Sequence, residues 1–320
     1  MDHIKSSISE PSAAAYPASA AMTIRALKID FSQGFDRRWF GGDAFRSAYF
    51  NAMSMTFPLG EQSFIDSVKG VDYLIDQQIS SDAERAELRA TLADFSAQEA
   101  THRHIHAQYN AVLQAQGFEN RVEERIKKRL ERYSQEHPMN MLAATCAYEH
   151  YTAILSDVML KNPAASETMQ PMMRRMWLWH ALEETEHKAV AFDLYQRLGG
   201  YERGRIAAYL LAMFLMQLDA FRQTSHNLRR DGALWKPSTL WSMLTFYLGR
   251  PSRGNGWIWM TARPLLAYFK RDFHPHQLGD TALPHAYANE HAQDWRVVRT
   301  GSSQGLGHHS GLRTIKRLKP

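Results

Sequence analysis

The chain has 320 residues, of which 44% are hydrophobic and 22% charged, and its formal net charge is +5 at pH 7. These values are typical of a soluble globular protein and exclude a wholly disordered or collagen-like chain. The single cysteine, Cys146, excludes an intramolecular disulfide framework, and the mild positive charge does not by itself indicate nucleic acid as a partner.

The N-terminus carries Asp2, Lys5 and Glu10 and lacks the apolar region of a secretory signal, so we expect a cytoplasmic protein. The most apolar stretch, residues 206–218, is shorter than the roughly 20 residues that a membrane-spanning helix needs. We expect a buried helix there, with a peripheral membrane contact as the minor alternative.

Helical signals dominate the interior, because long stretches rich in Ala, Leu, Met, Glu, Gln and Arg lie between Pro and Gly positions. No segment shows sustained alternation with a period of two, so we predict an all-α protein without a sheet. The predicted helices lie near residues 44–78 (with a bend at Pro58), 82–116, 138–160, 168–198 and 202–230, with one or two more in 237–272.

The four long helices predict a four-helix bundle over residues 44–198, with additional C-terminal helices over 202–272 that pack against it. Both belong to a single helical domain, residues 23–300. Residues 1–22, rich in Ser, Ala and Pro, predict a flexible arm, and residues 301–320 predict a flexible basic tail.

The fourth predicted helix carries three polar residues at the centre of an otherwise apolar stripe. His180, Glu184 and His187 are separated by steps of four and three, which places them on one face. Glu183 and Glu186 point about 100° and about 200° away from Glu184 on a regular helix, and are poorer candidates for that face.

The other three helices repeat the pattern. The second has Glu99 and His102 as a further Glu-x-x-His pair, whereas Glu149 is alone on the stripe of the third and Glu61 on that of the first. Burying such groups costs several kcal/mol each unless their charge is compensated, as two metal ions would do. The alternative is that these glutamates and histidines are buried ion-pair partners that bind no metal. The order Glu, Glu-x-x-His, Glu, Glu-x-x-His is that of dinuclear carboxylate bundles, so we predict a dinuclear metal site.

The segments FPLGEQSF, FSAQEATHRHIHAQYN, YEHYTA and WLWHALEETEHKAVAFDLY resemble a bacterial family of predicted metal-dependent hydrolases, over about residues 40–270. That family is similar to ferritin-like di-iron proteins, so the resemblance implies that the bundle is a ferritin-like four-helix bundle. The element His180-x-x-x-Glu184-x-x-His187 also resembles that of di-iron aryl-amine N-oxygenases, which take a third histidine ligand from this helix. The resemblance implies that His180 is an extra metal ligand. The six common ligand places fall on Glu61, Glu99, His102, Glu149, Glu184 and His187.

His106 lies one turn beyond His102 on the same stripe. We predict that His106 lies beside the ligands and lines the cavity or, in a hydrolase, that it is the catalytic general base. We interpret Cys146 as a small core residue, because sites rich in oxygen and imidazole suit iron or manganese better than soft sulfur does. The aromatic residues near the C-terminus predict core or interface, with a lid over an apolar substrate channel as an alternative.

The leading functional hypothesis is a di-iron oxidase or oxygenase that uses O₂ to oxidise a small organic substrate, apolar or aromatic in character. The first alternative is a metal-dependent hydrolase that uses a dinuclear metal-activated water. The second is a non-catalytic metal or interaction protein. We expect two iron ions, with manganese or a mixed iron/manganese pair as the alternative. Since the sequence has no Rossmann glycine fingerprint and no iron–sulfur cysteine set, an oxidase would need an external electron donor.

Overall fold

The structure is a computed structural model, and it describes residues 22–133, 136–280 and 282–301. It confirms the predicted all-α class, since helices form almost all of the regular structure in these ranges. The helices are α1 (Ala44–Gly70), α2 (Asp72–Gln78), α3 (Asp82–Ala115), α4 (Arg121–Tyr133), α5 (Pro138–Lys161), α6 (Pro171–His187), α7 (Val190–Arg197), α8 (Glu202–Arg230), α9 (Pro237–Leu248), α10 (Trp257–Ala267) and α11 (Ala282–Glu290).

Local chemistry sets several of the helix starts. The Asp43 carboxylate accepts the Arg46 backbone N–H before α1, and the Ser81 hydroxyl accepts that of Glu84 before α3. Proline opens α5, α6 and α9, where its missing N–H and fixed φ are tolerated.

Two predicted helices are divided in the structure. The first continues through Pro58 and breaks at Val71, so the expected bend at Pro58 is not where the helix is interrupted. The fourth ends at His187, and α7 begins at Val190. Helices α4 and α11 have no counterpart among the predictions.

The expectation of no sheet is wrong at the ends of the described chain. Strands β1 (Thr23–Leu27) and β2 (Trp295–Thr300) pair antiparallel, with an irregularity between Ile24 and Arg25. Two such short strands give no sustained alternation, and their pairing is non-local, so local sequence does not reveal it. Apart from Met22 and Gly301, the predicted arm and tail lie outside the described residues.

Two apolar clusters form the core, and helices α1, α3 and α5 run from one into the other. Helix α1 passes from Phe57 in the first cluster to Phe64 in the second, and α3 passes from Phe95 in the second to Ile105 in the first. The candidate metal residues lie between these clusters. Helices α8, α9 and α10 form an outer layer that packs on α1 and α5.

Candidate metal centre

All the residues predicted to bind or surround metal lie together in the middle of the helices. Helix α1 contributes one of them, α3 three, α5 one and α6 three, and each is at most 4% exposed. They are Glu61, Glu99, His102, His106, Glu149, His180, Glu184 and His187.

These residues form one continuous cluster rather than separate pairs. They fall into four overlapping groups of three, and within each group the candidate ligand atoms lie within 4.8 Å of one another. Glu99 belongs to the group with Glu149 and His187 and to the group with Glu61 and His102. A carboxylate shared by two groups is suited to bridging two ions.

Glu184 also connects the two ends of the cluster, through its two oxygens. Its Oε1 lies 3.0 Å from Nε2 of His180 and 3.6 Å from Nδ1 of His102. Its Oε2 lies 3.5 Å from Nε2 of His187. The same His187 nitrogen is 3.2 Å from Oε1 of Glu99 and 3.4 Å from Oε2 of Glu149.

The carboxylates are in an unfavourable environment for their charges. Burial, together with neighbouring carboxylates, raises the pKa of Glu61, Glu99 and Glu149 well above the ordinary value. Burial also acts to raise the pKa of Glu184, but the adjacent His187 and His180 outweigh it and lower that pKa. The cluster therefore needs cations or protons to be stable.

The unpaired atoms fit metal ions. Both oxygens of Glu61, Glu99 and Glu149 and the Oε2 of Glu184 have no hydrogen-bond partner among the described residues, a total of seven buried carboxylate oxygens. Buried polar atoms are almost always satisfied, so such a concentration indicates a site that binds cations. Oxygen and imidazole donors in this proportion suit iron, manganese or zinc.

Two of the histidines are oriented by acceptors outside the cluster. His102 Nε2 is 3.0 Å from Oε2 of Glu183, and His187 Nδ1 is 3.1 Å from Oε1 of Gln98. The other ring nitrogen of each faces the cluster and has no hydrogen-bond partner among the described residues. This arrangement, with one nitrogen anchored and the other presented, is common for histidine ligands of metals.

A chain of hydrogen bonds through His106 orients His180. The Asn110 amide donates to the Ser54 carbonyl oxygen at 2.9 Å, which directs Asn110 Oδ1 toward the Ser54 hydroxyl. That hydroxyl donates to Asn110 and therefore accepts from His106 Nδ1 at 2.8 Å. A neutral His106 then accepts the Nδ1 proton of His180 at 2.8 Å. The His180 Nε2 lone pair consequently faces Glu184 Oε1, and an intervening cation would stabilise these two acceptors.

Strand β1 holds the outer side of this network. The Arg25 backbone N–H donates to Glu183 at 3.0 Å, and its guanidinium pairs with Glu186 at 2.7 Å. Gln98 donates its amide to Glu186 at 2.8 Å and to the carbonyl oxygen of Thr23 at 3.0 Å. The strand thereby fixes the groups that orient His102 and His187.

Several predicted roles can be compared with these contacts. His106 has a partner at each ring nitrogen, which favours orientation of His180 over the role of general base, although its catalytic assignment stays a prediction. Burial, together with Glu149, raises the pKa of the Cys146 thiol, consistent with a core residue. Glu183 and Glu186 lie beside the cluster rather than in it, as their helix positions predict.

The residues that orient the histidines do not stand out as a group in the sequence. Gln98 precedes Glu99 and is completely buried, so a polar residue flanking a stripe is the signal that was available. Arg25 and Ser54 gave no local signal, because their partners are distant in sequence.

A cavity of about 330 Å³ leads from the protein surface to the cluster. It lies between α1, α4, α5 and α8, and its inner end is lined by Glu61 and Glu184. Its walls are mostly apolar, with Ile126, Leu130 and Leu215 among the side chains. An apolar pocket with a few polar groups at its end is a common form of small-molecule site.

The comparisons with known proteins agree with the metal-site geometry. The family model described as predicted metal-dependent hydrolase matches residues 23–279, from the start of β1 to beyond α10. No curated protein and no solved structure matches the chain. The matched range covers most of the chain and every residue of the candidate centre. The chain therefore belongs to the family of predicted metal-dependent hydrolases.

Proposed function

We propose that the protein is a metal-dependent hydrolase with a dinuclear centre and an apolar substrate. The observation that carries the proposal is the group of seven buried carboxylate oxygens without hydrogen-bond partners among the described residues, at the end of a cavity. Membership of the family supports hydrolysis over the oxygen-dependent chemistry that the ligand order first indicates.

The ligands would be the four glutamates of the cluster, with His102, His180 and His187. A pair of divalent ions at such a site supplies Lewis acidity and makes water nucleophilic near neutral pH. Zinc, manganese and iron all suit these donors.

The chain's own residues account for binding and orientation. Glu183 and Gln98 hold the rings of His102 and His187, and the network through Arg25 keeps both acceptors in place. The apolar walls of the cavity exclude water from all but the reacting end of the substrate. We propose an ester or a phosphoester with an apolar chain, because the cavity offers apolar contact along most of its length.

The second candidate is an oxidase or oxygenase. One specific observation favours it: the ligand order along α1, α3, α5 and α6 is that of ferritin-like di-iron proteins, with His180 adding a histidine as in aryl-amine N-oxygenases. That function needs two iron ions, O₂ and an electron donor from a separate protein.

One experiment separates the two candidates. The protein is loaded in turn with zinc, manganese and iron, and p-nitrophenyl esters and phosphoesters of increasing chain length are assayed without O₂. Hydrolysis that requires metal and increases with chain length supports the hydrolase. If no metal supports hydrolysis but the reduced iron form consumes O₂ stoichiometrically, the hydrolase is wrong and the oxidase is supported.

A further inference from the structure

Large apolar side chains are exposed in one part of the molecule. Of the eighteen that are exposed among the described residues, fifteen lie between residues 201 and 269. Phe214 in α8, Trp241 in α9 and Leu266 in α10 are each about two-thirds exposed (64%, 67% and 65%). A patch of this kind is rare on soluble proteins unless it binds something.

The three helices that carry these side chains form one layer. The Tyr209 hydroxyl of α8 donates to the Leu265 carbonyl oxygen of α10 at 2.9 Å. The Trp259 indole N–H of α10 donates to the Leu248 carbonyl oxygen of α9 at 3.2 Å. The inner sides of the helices pack on α1 and α5. The exposed side chains therefore face away from the core. We call this surface the outer apolar face; it comprises Leu210, Phe214, Phe221, Leu240, Trp241, Leu244, Leu248, Trp259 and Leu266.

Positive charge is concentrated in the same segment. Residues 201–272 contain eleven Lys and Arg and four Asp and Glu, a net charge of +7, whereas the rest of the chain has a net charge of −2. Arg222, Lys236, Arg250 and Arg263 are exposed and make no ion pair with any described residue. Arg263 lies between Trp259 and Leu266 on one stripe of α10, so its charge sits within the apolar surface.

We infer that the outer apolar face docks on an anionic lipid surface. Exposed leucine, phenylalanine and tryptophan side chains enter the boundary between headgroups and acyl chains, while arginine and lysine contact anionic headgroups. Tryptophan is especially suited to that boundary, because its ring is apolar and its N–H is polar. Phosphate groups alone would account for the basic residues but not for the fifteen apolar side chains.

Helix α8 is suited to lying along the membrane rather than crossing it. By length and composition alone it is apolar enough to span. However, it packs along α5 and α1, and charged side chains that it buries have protein partners. Arg205 donates to the Tyr268 carbonyl oxygen at 2.6 Å, and Asp219 pairs with Arg129 at 2.7 Å. A spanning position would remove these groups from their partners at high cost.

The mouth of the cavity adjoins the outer apolar face. Tyr201 and Leu211 are exposed and also line the cavity, and Leu211 is next to Leu210 on α8. The substrate is therefore an apolar molecule that reaches the cluster from the lipid, a conclusion that rests on the proposed function. Docking itself does not depend on metal.

Vesicle co-sedimentation tests the inference, with the full chain and vesicles of phosphatidylcholine alone or with phosphatidylglycerol. We expect strong binding to the mixed vesicles that weakens with added NaCl. The apolar variant Phe214→Ser/Trp241→Ser/Leu266→Ser and the charge variant Arg222→Glu/Arg250→Glu/Arg263→Glu should each bind at least about tenfold more weakly. The matched control Tyr73→Ser/Val298→Ser/Lys69→Glu, which changes exposed residues elsewhere, should bind as the unchanged chain does.

Circular dichroism and metal content show whether each variant is folded. No binding to mixed vesicles overturns the inference, as does equal binding by the folded triple variants. Light scattering then shows whether a second copy covers the face: a dimer that the apolar substitutions dissociate, without vesicle binding, also overturns it. Glu99→Ala separates the two proposals, because it should lose metal and still bind vesicles. Retention of metal by this variant would count against the metal centre alone.

Discussion

The centre of the helices and the outer layer depart from the usual distribution of polarity in opposite directions. Between α1, α3, α5 and α6, four carboxylates and four histidines are buried, whereas α8, α9 and α10 expose leucine, phenylalanine and tryptophan. Buried charges are normally paired and large exposed apolar patches are rare. We propose that both regions are completed from outside the chain, the inner one by cations and the outer one by lipid.

Loss of a central ligand should have the largest effect. We expect Glu99→Ala and His187→Ala to lower metal content to one ion or fewer per chain and to abolish turnover, because both belong to the group at one end of the cluster. Elemental mass spectrometry measures the content. Glu87→Ala, three turns earlier on α3, is the matched control and should leave metal unchanged. Two ions in both ligand variants would contradict the assignment.

Loss of an orienting residue should have a smaller effect. Glu183→Ala and Gln98→Ala remove the acceptors of His102 and His187 but leave all seven proposed ligands. We expect metal affinity to fall by about 10- to 100-fold with the stoichiometry retained at saturation, as measured by titration against a chelator. A loss of stoichiometry equal to that of Glu99→Ala would mean that Glu183 is itself a ligand and that the helical register is wrong by one residue.

Filling the cavity should separate substrate binding from metal binding. Ala208 lines the cavity on α8, so Ala208→Trp should obstruct it. We expect kcat/KM for the best long-chain ester to fall at least about tenfold while metal content stays the same. Ala93→Trp, at an exposed position on α3, is the control. Unchanged turnover by Ala208→Trp would show that substrate uses another route.

The pH dependence of stability should show the smallest effect. Because the folded-state pKa of Glu149 lies above the ordinary 4.5, the metal-free folded chain binds more protons there than the unfolded chain. That residue therefore costs stability increasingly as pH rises above 4.5. We expect metal-free Glu149→Gln to have a Tm about 3 °C or more above that of the unchanged chain near neutral pH, with the gap closing as pH falls toward 4.5.

His102 and His106 also contribute to the pH dependence of stability. Because both proteins contain these histidines, comparing the two removes that contribution. Burial, then His180, lowers the pKa of both, which acts in the opposite direction. A gap that widens as pH falls would contradict the prediction. Added metal should reverse the order of the two proteins, since only the unchanged chain retains all ligands.

The sequence predicted the all-α fold and the residues of the cluster because both depend on helical periodicity. Glu61, Glu99, Glu149 and Glu184 each interrupt an apolar stripe, and such an interruption can be seen without knowing the packing. The break at Val71 directly follows Gly70, which is a signal in the sequence, whereas the break after His187 could not be predicted, because no proline or glycine lies there.

The remaining features depend on contacts between distant parts of the chain. Strand β1 pairs with β2 across nearly the whole sequence, and Arg25 reaches Glu183 only because of that fold. Helix α4 could not be predicted from an apolar stripe, because it is strongly charged and has only Val122 fully buried. The residues 206–218 were expected to be buried, but Leu210 and Phe214 are exposed. Packing, rather than composition, determines which side of α8 faces solvent.

The most direct test of the central claim is native mass spectrometry of the unchanged chain after loading with zinc, manganese or iron. We expect a species with two ions per chain that forms at low metal concentration and is lost when EDTA is added. The metal centre would be contradicted if the unchanged chain bound none of the three metals, or if the Glu99→Ala variant bound as many ions as the unchanged chain.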